Sequence, residues 1–465
     1  MTANTIGVRE ELDQAPLSRF HWFVVGCVFA ATIVDGYDVF LPSYVIHFMT
    51  GPWHLSTGEA GWLASSALIG IGIGSTVQGV IADRIGRRPT MIGGLFLSGV
   101  FTLLTAFLAN GLISFVILRF LTGLGMGVML PLGAAYIAEY VPAKGRFRIA
   151  TLAILGFNIG GIIVSVLGVL MAPAYGWRPL FMIVGFGGVL LGLVFLPVFP
   201  ESVQYLVGRG RNREAAGVMV RVRPGRTSDY DGATFVMASP ETVPAGPAEP
   251  AGPAASSGRY WLLPLRQPYL PVTIGLWLAA FFVIFDNYAL STWTPNLMVA
   301  RGDSFAASFA FGAAFQGASV IGALLCGVSS DRWLGRRLSL MLWCGVGGVA
   351  VFCFLLVSNP VADLLMAAAS GFCIIGALTM LNNVAAATYP AHARGTGVGY
   401  MLGLGRIGGI LGPVVAGSLI AATGNSSVLF IVAGIGGFLA MGGVALTRNG
   451  SPSASTVRSV GTPIS

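Results

Sequence analysis

Five charged residues stand inside stretches of otherwise apolar sequence: Asp35, Asp38, Arg119, Asp286 and Arg406. A charge at the centre of a bilayer costs at least about 2.5 kcal/mol even on the most lenient insertion scale, so each must face a cavity or a partner. A buried carboxylate that meets water on alternate sides of a membrane can take up and release a proton, which is the chemistry of coupling. Asp35 and Asp38 are three residues apart, about 60° around a helix, and share a face. At about 1.5 Å per residue, Arg119 falls at the depth of Asp38, so an ion pair between them is expected. Burial and the guanidinium then act in opposite senses on the protonation of these acids. The competing use of the pair is a permanent brace between two helices.

Arg406 offers different chemistry. Its planar fork of donors suits a bidentate grip on a carboxylate and does not lose its proton, which makes it the anion-binding candidate; pairing with Asp286 at similar depth is the alternative. Asn158, Asp286, Tyr288, Trp293, Gln316, Asn382 and Asn383 can add hydrogen bonds or a ring platform for a small solute, or serve helix packing. Enzyme chemistry finds no footing. His21, His47, His54 and His392 are scattered, and Cys27, Cys326, Cys344, Cys353 and Cys373 sit in apolar stretches without metal-ligand spacing, as small buried hydrophobes do. No metal, cofactor or disulfide is expected. The runs Gly70-Ile71-Gly72-Ile73-Gly74 and Gly123-Leu124-Gly125-Met126-Gly127 lie within long apolar stretches instead of following a strand, so they read as helix packing and not as phosphate loops.

The elements that must position these residues follow from composition. With 55% hydrophobic residues, 9% charged residues and 66 glycines in 465, the chain lacks the polar surface a soluble protein of this size needs. Twelve stretches reach the roughly 20 apolar residues a spanning helix requires: 20–48, 59–82, 90–109, 112–137, 149–171, 179–199, 269–299, 305–330, 338–357, 361–388, 396–421 and 425–446. The first is too long for a signal peptide and follows Glu10, Glu11 and Asp13. With the N-terminus placed inside, inner loops and tails hold 22 of the 26 Lys and Arg residues, and the outer loops hold Arg178 and Arg301. By the positive-inside rule both termini are then cytoplasmic. The net charge of +8 is thereby explained by topology and asks for no nucleic acid. The expected organisation is a tail (1–19), a six-helix bundle (20–199), a cytoplasmic linker (200–268), a second bundle (269–447) and a tail (448–465). The linker opens with a basic amphipathic piece and continues in Pro, Ala, Gly and Ser, a composition expected to be disordered.

The halves repeat at an offset of 248: Gly79, Asp83 and Arg84 match Gly327, Asp331 and Arg332, Gly123 matches Gly371, and Pro142, Ala143 and Arg146 match Pro390, Ala391 and Arg394. The run Asn158-Ile-Gly-Gly-Ile-Ile returns as Arg406-Ile-Gly-Gly-Ile-Leu. Such a parallel repeat belongs to secondary transporters that bind solute near the midplane.

The loop Gly79-Val-Ile-Ala-Asp83-Arg84-Ile-Gly86-Arg87-Arg88 resembles the signature loop of the major facilitator superfamily. Asp331-Arg332-Trp-Leu-Gly335-Arg336-Arg337 is its degenerate copy with one residue inserted. The resemblance spans essentially the whole chain and implies an all-α membrane fold of twelve helices in two pseudo-symmetric six-helix bundles. It also implies a gating role for Asp83, Arg84, Arg87, Arg88, Asp331, Arg332, Arg336, Arg337 and Arg394, against the simpler role of ending helices and holding charge inside. Asp83 at a helix end can pair with arginines or a helix N-terminus.

A narrower resemblance is to the aromatic acid:proton symporters, whose Asp-Gly-x-Asp motif reads here as Asp35-Gly36-Tyr37-Asp38. Arg119 and Glu139 fall where that family carries functional charges, and Arg394 and Arg406 fit its pattern near the eleventh span. The resemblance implies proton coupling through Asp35, Asp38, Arg119 and Glu139. It implies uptake of a small organic anion, an aromatic carboxylate of benzoate or hydroxybenzoate type, by alternating access. The alternatives are a nicotinate-like or aliphatic acid, or a proton-driven efflux antiporter. Pro200-Glu201-Ser202 is similar to a sugar-porter motif, yet the acidic motif that branch carries after its twelfth helix is missing. The partners expected are the acid, protons and the bilayer of the inner cell membrane, with the monomer as functional unit.

Overall fold

The computed structural model describes residues 5–237, 260–300, 302, 304–356 and 359–447. The stretch expected to be disordered falls largely on 238–259, and with the tail after Thr447, Arg301 and the Asp331 side chain it lies outside the described residues. In chain order the elements are β1 (Thr5–Gly7), α1 (Val8–Asp13), α2 (Arg19–Thr50), α3 (Thr57–Ile85), α4 (Arg87–Leu108), α5 (Leu112–Met126), α6 (Met129–Tyr140), α7 (Arg146–Tyr175), α8 (Arg178–Val198), α9 (Val203–Gly208), α10 (Asn212–Val222), α11 (Thr227–Tyr230) and β2 (Thr234–Val236). The second half supplies α12 (Leu270–Ala300), α13 (Phe305–Val328), α14 (Gly335–Cys353), α15 (Pro360–Thr388), α16 (Ala391–Thr423) and α17 (Ser427–Leu446). Counting α5 and α6 as one span, twelve helices among the described residues are long and apolar enough to cross a membrane. Each begins and ends within five residues of the limits read from the sequence, because uninterrupted apolar length is a signal that tertiary context does not override. Leu170 and Leu190 remain 67% and 62% exposed, as side chains that face lipid should.

The repeat survives at the level of backbone contacts. A Cβ on Gly123 would lie 2.1 Å from the carbonyl oxygen of Ala67, and one on Gly371 would lie 2.2 Å from that of Phe315, 248 residues on in both partners. Gly160 against Ile33 and Gly408 against Phe281 repeat in the same way. Small residues at these crossings let backbones touch where lipid gives no hydrophobic drive to association. One crossing is inverted in size: Gly36 lies under the backbone of Phe157, whereas at the matching positions Ile284 reaches over Gly405. The extra residue in the second signature loop is taken up as a π-helical turn, Ser329–Leu334, the usual form of a one-residue insertion into a helix. Through α4 and α14 the offset is 249, and both loops still turn on a glycine of positive φ, Gly86 at 105° and Gly335 at 71°.

The N-terminal residues and the linker fold together. β1 pairs with β2 in parallel, Thr5 opposite Thr234, and Ile6, Val8 and Leu12 pack with Met219, Val222, Tyr230 and Phe235. Glu11 is buried and accepts hydrogen bonds from Arg223 (2.7 Å), Arg226 (2.8 Å) and the Tyr230 hydroxyl (2.6 Å). Burial, then the bond to Glu11, pushes the Tyr230 hydroxyl well above its ordinary range, so it stays a donor. Asp13 pairs with Arg146 at the start of α7. The basic piece of the linker is thus a clasp on the chain's own beginning.

The chain divides into two compact units: Met1–Leu41, Ser66–Val164 and Ala174–Ala255 in one, and Pro42–Ser65, Ser165–Pro173 and Ser256–Ser465 in the other. The second unit therefore includes the ends of α2, α3 and α7 remote from the signature loops. Within it Ser65 donates to the Ile410 carbonyl at 2.7 Å, and Tyr44 stacks on Phe309 and accepts from Ser165.

Candidate functional site

In the first unit the Asp35-Gly36-Tyr37-Asp38 run lies mid-way along α2 with both acids buried. It can sit there because Gly36 offers no side chain: a Cβ would fall 1.8 Å from the Phe157 carbonyl oxygen of α7. Arg119 of α5 is fully buried and binds Asp38 twice, Nη1 to Oδ1 at 2.5 Å and Nη2 to the backbone carbonyl at 2.8 Å. Thr102 of α4 donates to the other carboxylate oxygen at 2.6 Å. The Phe181 ring lies 5.5 Å from the guanidinium carbon. The carboxylate is thereby satisfied on both oxygens, which a charge in a dry interior needs. Asp35 stands one turn away from this pair, and Asn158 is buried in α7.

Glu139 is elsewhere. It is buried near the end of α6, paired with Arg87, and accepts from the Ser202 hydroxyl (2.7 Å) and the Gln204 amide (3.0 Å). Beside it Glu201 accepts from the backbone amides of Arg87 (2.9 Å) and Arg88 (3.1 Å) at the start of α4, where the helix dipole favours an anion. Arg209 donates to the Arg84 carbonyl at 2.7 Å. The structure therefore separates Glu139 from Asp35, Asp38 and Arg119 and joins it to the signature loop. Asp83 is exposed, and its carboxylate makes no hydrogen bond or ion pair among the described residues; the pairing open to it in the sequence is not made. In the second half Arg337 donates to the Ala445 carbonyl at 2.5 Å, the repeat of Arg88 on the Leu196 carbonyl. Arg332, Arg336 and Arg394 are exposed.

The second unit holds the remaining candidates. Asp286 is buried, and no ion pair joins it to Arg406 among the described residues. Its carboxyl lies against α17, where a Cβ on Gly436 would meet Oδ1 at 2.6 Å. Trp293 donates its indole N–H to the Pro413 carbonyl at 2.9 Å and so is engaged in helix packing. Polar atoms of Asn287, Gln316 and Asn382 are buried without a hydrogen-bond partner among the described residues. Tyr288, Asn383 and Arg406 are half-buried.

A sequence model described as the Major Facilitator Superfamily matches residues 28–362 and 276–463. The chain belongs to that superfamily. It is a transporter and not an enzyme. The 4-hydroxybenzoate transporter PcaK of Acinetobacter baylyi is 31% identical over 410 residues, covering 88% of this chain and 87% of that protein. The gallate transporter of Pseudomonas putida is 28% identical over 450 residues, covering 96% and 95%. Among solved structures, the inward open xylose transporter XylE from E. coli aligns with a TM-score of 0.70 at 17% identity over 91% of this chain and 96% of that one, a likeness of fold.

Three members of the first unit's polar clusters were given no site role from the sequence, Thr102, Glu201 and Ser202. Thr102 gives no sequence signal, being one of several threonines in an apolar span. Ser202 did, as part of Pro200-Glu201-Ser202, which follows a span directly and lies one helix end from Glu139. The contrast between a buried, bonded Glu139 and an exposed Asp83 leads to an expected result. Glu139→Gln removes a charged acceptor with three donors and lowers stability by about 2 kcal/mol. Asp83→Asn, on an exposed side chain, changes it by less than about 0.5 kcal/mol. Thermal unfolding of the purified variants in detergent checks this, and equal shifts would contradict the assignment.

Proposed function

We propose that this member of the superfamily takes up an aromatic carboxylate with protons by alternating access, in a cell's inner membrane with both termini cytoplasmic. The observation that carries the reading is likeness along nearly the whole chain to transporters named for 4-hydroxybenzoate and gallate. The buried acids on α2 agree with it. Asp35 and Asp38 carry the coupling proton, with Arg119 paired to Asp38 until the cycle releases it. Arg406 receives the substrate carboxylate, with Gln316 Nε2 as a further donor and the amide oxygens of Asn287 and Asn382 as acceptors for a ring hydroxyl. Glu139, Arg87, Arg88 and Glu201 latch the end of the first unit that bears the signature loop.

The test is binding of 4-hydroxybenzoate and of its neutral amide to purified Arg406 variants. A charge-assisted hydrogen bond contributes about 1.5 to 3 kcal/mol, so Arg406→Ala weakens the acid by roughly ten- to a hundred-fold and the amide far less. Arg406→Lys falls between, keeping the charge without the fork. Equal loss for acid and amide, or no loss, would exclude the carboxylate-receptor role.

A further inference from the structure

The offset that relates the halves carries Asp38 onto Asp286. The match is anchored by two contacts in the five residues before it: Ile33 and Gly160 become Phe281 and Gly408, and Gly36 over Phe157 becomes Ile284 over Gly405. The partners of Asp38 have not been kept. Arg119 becomes Ala367 on α15, and Thr102, at the offset of 249 that holds for α4 and α14, becomes Val351; both replacements are buried. The acid has been retained in the second half while its cation and its hydroxyl donor have been replaced by hydrocarbon.

The surroundings of Asp286 agree with that loss. It is 2% exposed, and Oδ1 has no hydrogen-bond partner among the described residues. The helices packed against α12 bring Cys326 on α13, Asp363 and Cys373 on α15, and Arg394, Tyr400 and Arg406 on α16, with no titratable group on α17; the side chain of His392 on α16 lies outside the described residues. None of the described groups is bonded to Asp286; Cys344 on α14 lies within electrostatic reach. An ionised carboxylate with no cation and no donor is the costliest group a membrane interior can hold, whereas the neutral acid needs neither. Gly436 lets the carboxyl nestle against α17, with Cβ positions 2.6 and 2.9 Å from its oxygens left vacant.

We infer that Asp286 is a second proton-binding residue of the transport cycle, the copy of Asp38 in the other repeat with its counter-charge removed. The two copies divide the work: one acid is paired with Arg119, the other holds a proton in the structure described and gives it up when water reaches α12 later in the cycle. The inference rests on the proton-coupled reading for its role in the cycle, and on the geometry alone for its protonation.

Two measurements on full-length protein separate these parts. Infrared spectroscopy of the reconstituted protein should show the carbonyl band of a protonated carboxylic acid that is absent from Asp286→Asn and retained in the double variant Arg119→Ala with Asp38→Asn, which keeps no unpaired charge in the first unit. Gly436→Ala, which crowds both oxygens, should shift that band without abolishing it. In proteoliposomes accumulating 4-hydroxybenzoate against an imposed pH gradient, loss of one coupled proton should lower the accumulation ratio of Asp286→Asn by about tenfold per unit of gradient. An unchanged band in Asp286→Asn would overturn the protonation. A lost band with an unchanged ratio would overturn the role in coupling. If the wild type itself fails to respond to the gradient, the symport reading falls, while the infrared result still decides whether Asp286 carries a proton.

Discussion

Arg119→Ala is expected to unfold much of the protein at temperatures the wild type tolerates, because it strands the Asp38 carboxylate in a dry site. Arg119 is fully buried and Asp38 nearly so, and removing one partner from a buried pair costs about 3 to 5 kcal/mol. Asp38→Asn alone strands the guanidinium instead and is expected to be damaging by a similar amount. The double variant Arg119→Ala with Asp38→Asn removes both charges and should recover most of the loss, the mark of two residues that act on each other. Recovered folding should not bring recovered function: uptake of 4-hydroxybenzoate driven by a pH gradient should stay at background in the double variant. Thermal unfolding in detergent and uptake by proteoliposomes give the two readings. Normal gradient-driven uptake by the folded double variant would reduce the pair to a brace between α2 and α5.

Gly36→Ala is expected to abolish recovery of monodisperse protein. Ordinary overpacking of a core costs about 1 to 3 kcal/mol by shifting side chains. Here the new methyl would lie 1.8 Å from a backbone oxygen and 2.6 and 2.7 Å from the carbonyl carbon and Cα of Phe157, so α7 itself would have to move. Gly26→Ala, ten residues earlier on the same helix, meets nothing within 4 Å and should be neutral or slightly stabilising, since alanine is the better helix former. Size-exclusion profiles of the two variants expressed side by side make the comparison. A well-behaved Gly36→Ala protein would mean that α2 and α7 do not cross as described.

The spans were legible because each is set by local composition, and the repeat because a fixed offset leaves identities at matching turns. The ion pair of Asp38 with Arg119 was legible from depth alone, since only one arginine in the first half lies at that level. Glu139 was harder. Its partners Arg87 and Ser202 are distant in sequence, and its place beyond the apolar run of α5 and α6 was the clue that it belongs with the loops. The clasp left almost no trace: β1 and β2 are three residues each, too short for any alternation to register, and Glu11 is buried only because Arg223, Arg226 and Tyr230 converge on it from more than two hundred residues away. The equivalence of Asp38 and Asp286 was present in the sequence throughout. It becomes meaningful once the contacts show that the offset holds through α2 and α12.

The clasp also sets an order of events during synthesis. Thr5 cannot meet Thr234 until six spans have left the ribosome. At about 5 to 20 residues per second, that is a wait of roughly ten to fifty seconds. A pairing so distant along the chain is slow to find, so the first residues made are among the last of the first half to be placed. They close over helices already threaded into the membrane, and a chain whose early spans have inserted wrongly has no partner to offer them.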